Sequence, residues 1–182
     1  IRHPRDPTRP PPPPRAPKPV AGRATGAARL VGVTTTAVPV EPPIETPATL
    51  EAAYAILSAA PTRPIAGGTD LMVQISGELG QPPQRMIDLS RLDELRGIAI
   101  AGAAVEIGAL TTYTEIRRSA LCREHLPALV DAAATIGAAQ IQNRGTIGGN
   151  AMNASPAGDT LPLLLATDAA LIAGGPSGER TI

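Results

Sequence analysis

Thirteen of the twenty-one prolines fall within residues 1–47, five of them in the unbroken run Pro10 to Pro14. Proline fixes φ, donates no backbone hydrogen bond and pushes the residue before it out of the helical region. This stretch can therefore form neither a helix nor a central strand. It predicts a polyproline II-like or disordered arm over residues 1–43, a linker or tail, with recognition by a proline-reading module or an acidic partner as the alternative. What folds must come from residues 44–182, enough for one domain of ordinary size.

Formal net charge is zero, but it is unevenly spread. Residues 1–30 hold seven Lys/Arg against one Asp, and residues 31–182 hold nine against fifteen Asp/Glu. A mildly acidic folded portion argues against a nucleic-acid surface. With no Trp, no Phe and only Tyr54 and Tyr113, the core must be built from Ala, Leu, Ile and Val, and no aromatic platform exists for stacking bases. The sole cysteine, Cys122, rules out an internal disulfide and a cysteine-ligated iron–sulfur cluster within this sequence, and reads as a small packing residue. No run of about eighteen apolar residues occurs and no apolar signal core follows the basic start, so the expectation is a cytoplasmic protein without a membrane span. The start at Ile1 rather than Met suggests a fragment or a processed product.

Beyond Pro47 the pattern turns regular. Leu50, Ala53, Tyr54 and Leu57 recur at helical spacing with Thr49 as N-cap, and Pro61 ends that helix. Residues 63–66 read as a strand, 71–75 as a helical turn, 85–89 as a strand and 92–95 as a further helical turn. Residues 97–101 and 105–107 read as a hairpin. Helices are expected over 112–118, over 126–136 and, as a buried helix, over 160–166. A strand follows at 169–173, then a turn over 174–178. His125 is placed near a helix start. The mixture gives an α+β fold of interspersed short strands and helices.

Two segments carry the chemistry. Residues 66–71 read Ala66-Gly67-Gly68-Thr69-Asp70-Leu71, and residues 146–150 read Thr146-Ile147-Gly148-Gly149-Asn150. A Gly-Gly step lacks two β-carbons, so the backbone can take positive φ and approach a ligand closely. Free N–H groups in such a turn form a nest for anions, and a neighbouring hydroxyl adds a donor. Two nests suit a ligand with two adjacent phosphates; a plain tight turn is the alternative at each. Neither segment is a Walker A loop, and neither has the Gly-x-Gly-x-x-Gly spacing of a dinucleotide fingerprint. Asp70 reads as a cap for the helical turn that follows it. Arg144 could neutralise phosphate or make a surface salt bridge, and Asn153 and Ser155 could shape the turn before Pro156.

With the wider context at 140–162, Pro64–Leu71 and Ile107–Tyr113, the chain closely resembles the FAD-binding subunit or domain of the xanthine dehydrogenase, aldehyde oxidase and carbon monoxide dehydrogenase family. The likeness covers roughly residues 44–182. It implies a PCMH-type FAD-binding fold of two small α/β subdomains that stops short of the family's C-terminus. It also implies that Ile65, Ala66, Gly67, Gly68, Thr69, Asp70 and Leu71 grip the FAD pyrophosphate from one side, and Thr146, Ile147, Gly148, Gly149 and Asn150 from the other. Asp159 falls where the family accepts hydrogen bonds from the ribose, and Ile136 where some relatives place a residue against the flavin. No catalytic acid or base and no metal ligand is implied. The implied function is electron transfer from iron–sulfur clusters through FAD to NAD or another acceptor. The iron–sulfur and molybdopterin-binding parts would lie on partner subunits or on portions of a longer polypeptide. The competing readings are a remnant or assembly module without flavin, and a different flavin oxidase of the same broad fold.

Overall fold

The computed structural model describes residues 42–77 and 79–182; the proline-rich arm expected over 1–43 lies outside the described residues except at its last two positions. Strand β1 (Ile44–Glu45), helix α1 (Leu50–Ala59), β2 (Arg63–Ile65), α2 (Leu71–Ser76) and β3 (Met86–Asp88) build the first half. The three strands are parallel in the order β1-β3-β2, and parallel neighbours need a crossover of the kind that α1 and α2 supply. Thr49 caps α1 by accepting the Ala52 N–H at 3.2 Å, and the helix stops at Ala60 before Pro61. Ala53, Ile87, Leu92 and Leu110 form the first core, with Leu57, Ala66 and Leu95 packed around it.

A 3₁₀ turn at Asp93–Leu95 leads into an antiparallel hairpin of β4 (Ile98–Ala101) and β5 (Ala104–Ile107). Six short helices follow: α3 (Tyr113–Arg118), α4 (Ala120–His125), α5 (Pro127–Thr135), α6 (Ala139–Gln142), α7 (Ile147–Asn153) and α8 (Leu161–Ala166). The hairpin β6 (Ile172–Gly175) and β7 (Gly178–Thr181) ends the chain. Tyr113, Ile116, Cys122, Leu129, Ala133 and Ile147 form a second core. Two cores on one α+β chain are the two small subdomains anticipated, and Cys122 packs in the second, fully buried.

Four local expectations need correction. Helix α4, which the apolar pattern did not signal, is nucleated by Ser119, whose hydroxyl accepts the Cys122 N–H at 3.2 Å. His125 therefore ends a helix instead of starting one. Helix α8 is apolar but not buried: none of its residues is enclosed, and Leu165 is 83% exposed. Gly174 and Gly175 belong to strand β6, leaving only Pro176 and Ser177 as the turn. Gly174 is needed there because a β-carbon would come within 2.3 Å of the Tyr54 hydroxyl on α1. Among the described residues no helix is long and apolar enough to cross a membrane, and no group of three or more metal-ligating side chains converges.

Candidate functional site

Strand β2 delivers the first glycine pair. Its pairing with β3 ends where the Leu89 N–H donates to the Ile65 carbonyl at 2.9 Å. The chain then turns through Ala66 and Gly67, takes φ +75° at Gly68 and enters α2. Among the described residues nothing accepts a hydrogen bond from the N–H groups of Gly67, Gly68, Thr69, Asp70 or Leu71. The ladder has ended before them, and the first N–H groups of a helix have no intrahelical partner. The result is a continuous row of main-chain donors beside the Thr69 hydroxyl, the form of an anion nest.

Asp70 does not cap α2. Its backbone is already helical and its side chain makes no cap bond. Its Oδ1 instead accepts from Asn153 Nδ2 at 3.0 Å, a clamp from the first turn to α7. Ser155, as anticipated, shapes the local turn, its hydroxyl accepting the Ala157 N–H at 3.3 Å.

The second segment differs from the first. Residues 146–150 are not a free turn but the start of α7, with Thr146 as N-cap accepting the Gly149 N–H at 3.1 Å. Neither Gly148 nor Gly149 has positive φ. Their donors are already committed. Ile147 N–H goes to the Thr111 carbonyl, Gly148 N–H to the Ala109 carbonyl, and Asn150 N–H to the Thr146 carbonyl. Gly148 is small because a β-carbon would lie 2.7 Å from both Ala109 Cβ and its carbonyl oxygen. The second segment can therefore offer a ligand the Asn150 amide and the Thr146 hydroxyl hydrogen, rather than a row of N–H groups.

The two segments touch. A β-carbon on Gly67 would fall 2.0 Å from the Arg144 carbonyl oxygen, so only glycine lets the first turn lie against the approach to the second. Arg144 Nε donates to the Gly67 carbonyl at 3.2 Å, which fastens that contact; among the described residues Arg144 makes no salt bridge. Between these backbones lies a cavity of about 200 Å³, lined by residues including Ala66, Gly67, Arg96, Thr112, Arg144 and Thr146. Arg96 gave no signal in the sequence. Its guanidinium donates to the carbonyls of Ser90 at 2.9 Å and Leu110 at 3.4 Å.

Behind Asn150 sits a small polar cluster. The hydroxyl of Thr160, itself fully buried, donates to Asn150 Oδ1. The Tyr113 hydroxyl is buried and has no hydrogen-bond partner among the described residues. Burial pushes the Tyr113 phenol up to about 12; the neighbouring Thr160 hydroxyl opposes this, and the Asp70 and Asp159 carboxylates add to it. Asp159 is exposed and precedes Thr160 directly. Ile136 is the residue that ends α5, half-buried against the second core, and does not line the cavity.

Over residues 39–182 the chain matches the family described as the FAD binding domain in molybdopterin dehydrogenase. The nicotinate dehydrogenase FAD-subunit of Eubacterium barkeri is 39% identical over 137 residues, covering 74% of this chain and 46% of that subunit. The carbon monoxide dehydrogenase medium chain of Hydrogenophaga pseudoflava is 38% identical over 118 residues, 65% of this chain and 41% of that one. Among solved structures, carbon monoxide dehydrogenase from Hydrogenophaga pseudoflava gives a TM-score of 0.75 at 34% identity, covering 80% of this chain and 51% of that one. Quinoline 2-oxidoreductase from Pseudomonas putida 86 gives 0.71 at 28% identity, covering 78% and 50%. The chain thus spans about half the length of the relatives it matches.

Proposed function

The chain belongs to the FAD-binding domain family of molybdopterin dehydrogenases, which makes FAD its cofactor, and on that premise we propose that it is the flavin electron-transfer module of a molybdenum hydroxylase complex. The observation that carries this reading is the row of five uncommitted N–H groups from Gly67 to Leu71 facing no protein acceptor among the described residues. That donor set fits a diphosphate. It supplies partial positive charge without a proton to lose, which suits an anion.

In this reading Ile65, Ala66, Gly67, Gly68, Thr69, Asp70 and Leu71 form one wall of the diphosphate site. Thr146 and Asn150 reach it from the other side, with Ile147, Gly148 and Gly149 setting the backbone behind them. Asp159, which as a carboxylate offers acceptors only, suits the paired hydroxyls of a ribose. Ile136 packs an aliphatic side chain toward the flavin. When bound, FAD supplies the redox chemistry of its isoalloxazine ring, and the protein's part is binding, orientation and tuning. The domain occupies residues 44–182, with 1–43 a linker or tail. The module's place is between an iron–sulfur subunit with its molybdopterin-binding large subunit and an acceptor such as NAD.

The test is an absorption spectrum of purified protein after incubation with FAD and desalting. Flavin bands that leave the protein as FAD on denaturation are the expected result. A colourless protein after the same treatment overturns the reading.

A further inference from the structure

We infer that Thr160 is a positioning residue for the FAD diphosphate, acting through Asn150: its buried hydroxyl holds the Asn150 amide with oxygen inward and Nδ2 outward. This inference rests on the proposed diphosphate site and deepens it. It starts from an ambiguity in amides. An asparagine side chain can present either a donor or an acceptor at nearly the same position, and only the donor helps an anion. Something must choose, and on this chain the choice is made from behind.

The selection runs from two buried groups to the half-buried Asn150. The Tyr113 hydroxyl is enclosed, 2% exposed for the residue as a whole, with no partner among the described residues. Burial keeps it protonated far above neutral pH. The Thr160 hydroxyl, beside it and fully buried, has one hydrogen and two lone pairs. Thr160 directs its own hydrogen to Asn150 Oδ1, which leaves only its lone pairs for the neighbouring phenol. Asn150 then has its acceptor consumed inside the protein. Both Nδ2 hydrogens are left for the ligand, beside the first turn to which α7 is clamped by Asn153 and Asp70. The Thr160–Asn150 bond is selective because a hydroxyl hydrogen is accepted by the amide oxygen and not by the amide nitrogen.

The experiment is FAD affinity of the purified protein by fluorescence titration, with folding followed by circular dichroism and urea midpoint. Thr160→Val keeps the shape and removes the hydroxyl. It is expected to weaken FAD binding about tenfold, the factor that one lost hydrogen bond of ordinary strength represents. Thr160→Ser restores the hydroxyl and is expected to stay within about twofold of the unsubstituted protein. In an Asn150→Ala background Thr160→Val is expected to add nothing, since its effect passes through the amide. Should Thr160→Val fail to fold, Thr160→Ala removes the same hydroxyl with a smaller side chain. It is expected to weaken binding about tenfold alone, and to add nothing in the Asn150→Ala background. Unchanged affinity in folded Thr160→Val, losses that multiply with Asn150→Ala, or failure of serine to rescue would each overturn the inference. If Thr160→Val does not fold, unchanged affinity in folded Thr160→Ala does the same. Failure of the unsubstituted protein to bind FAD would instead strike the functional reading beneath it.

Discussion

At the scale of single residues, the four glycines of the two segments do three different jobs. Gly68 takes a left-handed backbone. Gly67 and Gly148 make room for a neighbouring carbonyl, and Gly149 lies 2.9 Å, by its would-be β-carbon, from the Thr146 cap oxygen. Gly67→Ala is therefore expected to be the costlier change in the first pair. The Arg144 backbone must shift, destabilising the fold by about 1–3 kcal/mol, whereas Gly68→Ala costs about 1 kcal/mol in backbone strain. Urea midpoints of the two variants check the order, and a Gly67→Ala protein as stable as Gly68→Ala would remove the close contact from the account. The positions of these glycines were plain in the sequence, but their reasons were not. A glycine kept for positive φ and one kept for a close approach look alike until the partner backbone, here seventy-seven residues away, is in place. Thr160 was hidden for a similar reason: a threonine after an aspartate carries no sign that its hydroxyl faces an asparagine ten residues back.

At the scale of elements, caps were legible and packing faces less so. Thr49 caps its helix as its spacing predicts, whereas Thr112, expected within a helix, caps it instead and completes a capping box with Glu115. Burial disfavours the ionised Glu115 carboxylate, but hydrogen bonds from the Thr112 N–H and hydroxyl, helped by the Arg96 charge, outweigh it and hold the group below the usual carboxylate range. A depressed folded pKa adds stability above the unfolded value, and that stability is lost as pH falls through the folded one. Glu115→Gln is expected to lose about 1 kcal/mol near neutrality, the usual worth of a cap. Its stability curve should meet that of the unsubstituted protein at strongly acid pH. Chemical denaturation across pH 2 to 7 tests this, and a constant gap between the curves would refute it. Helices α4 and α6 escaped notice because neither Ala120–His125 nor Ala139–Gln142 carries an apolar stripe. The burial of α8 was misjudged because hydropathy reports what a helix could cover, not what covers it.

At the scale of the whole molecule, the division into two small subdomains was implied by the family resemblance and not by composition, and the structure holds two hydrophobic cores. Tyr113 is the large polar anchor of the second. Its folded pKa is raised, so the stability tied to its neutral form is complete below pH 10 and declines as pH climbs towards about 12. The decline is expected to reach about 2–3 kcal/mol and to be absent from Tyr113→Phe. Denaturation midpoints from pH 8 to 12 decide it, and equal alkaline slopes in both proteins would contradict it. The same side chain has an optical consequence. With neither tryptophan nor phenylalanine in the sequence, ultraviolet emission comes from Tyr54 and Tyr113 alone, and one of these emitters stands behind the amide proposed to face the diphosphate. Oxidised flavin absorbs in the range where tyrosine emits, so the protein's own dim fluorescence becomes a gauge of cofactor occupancy, read without any label.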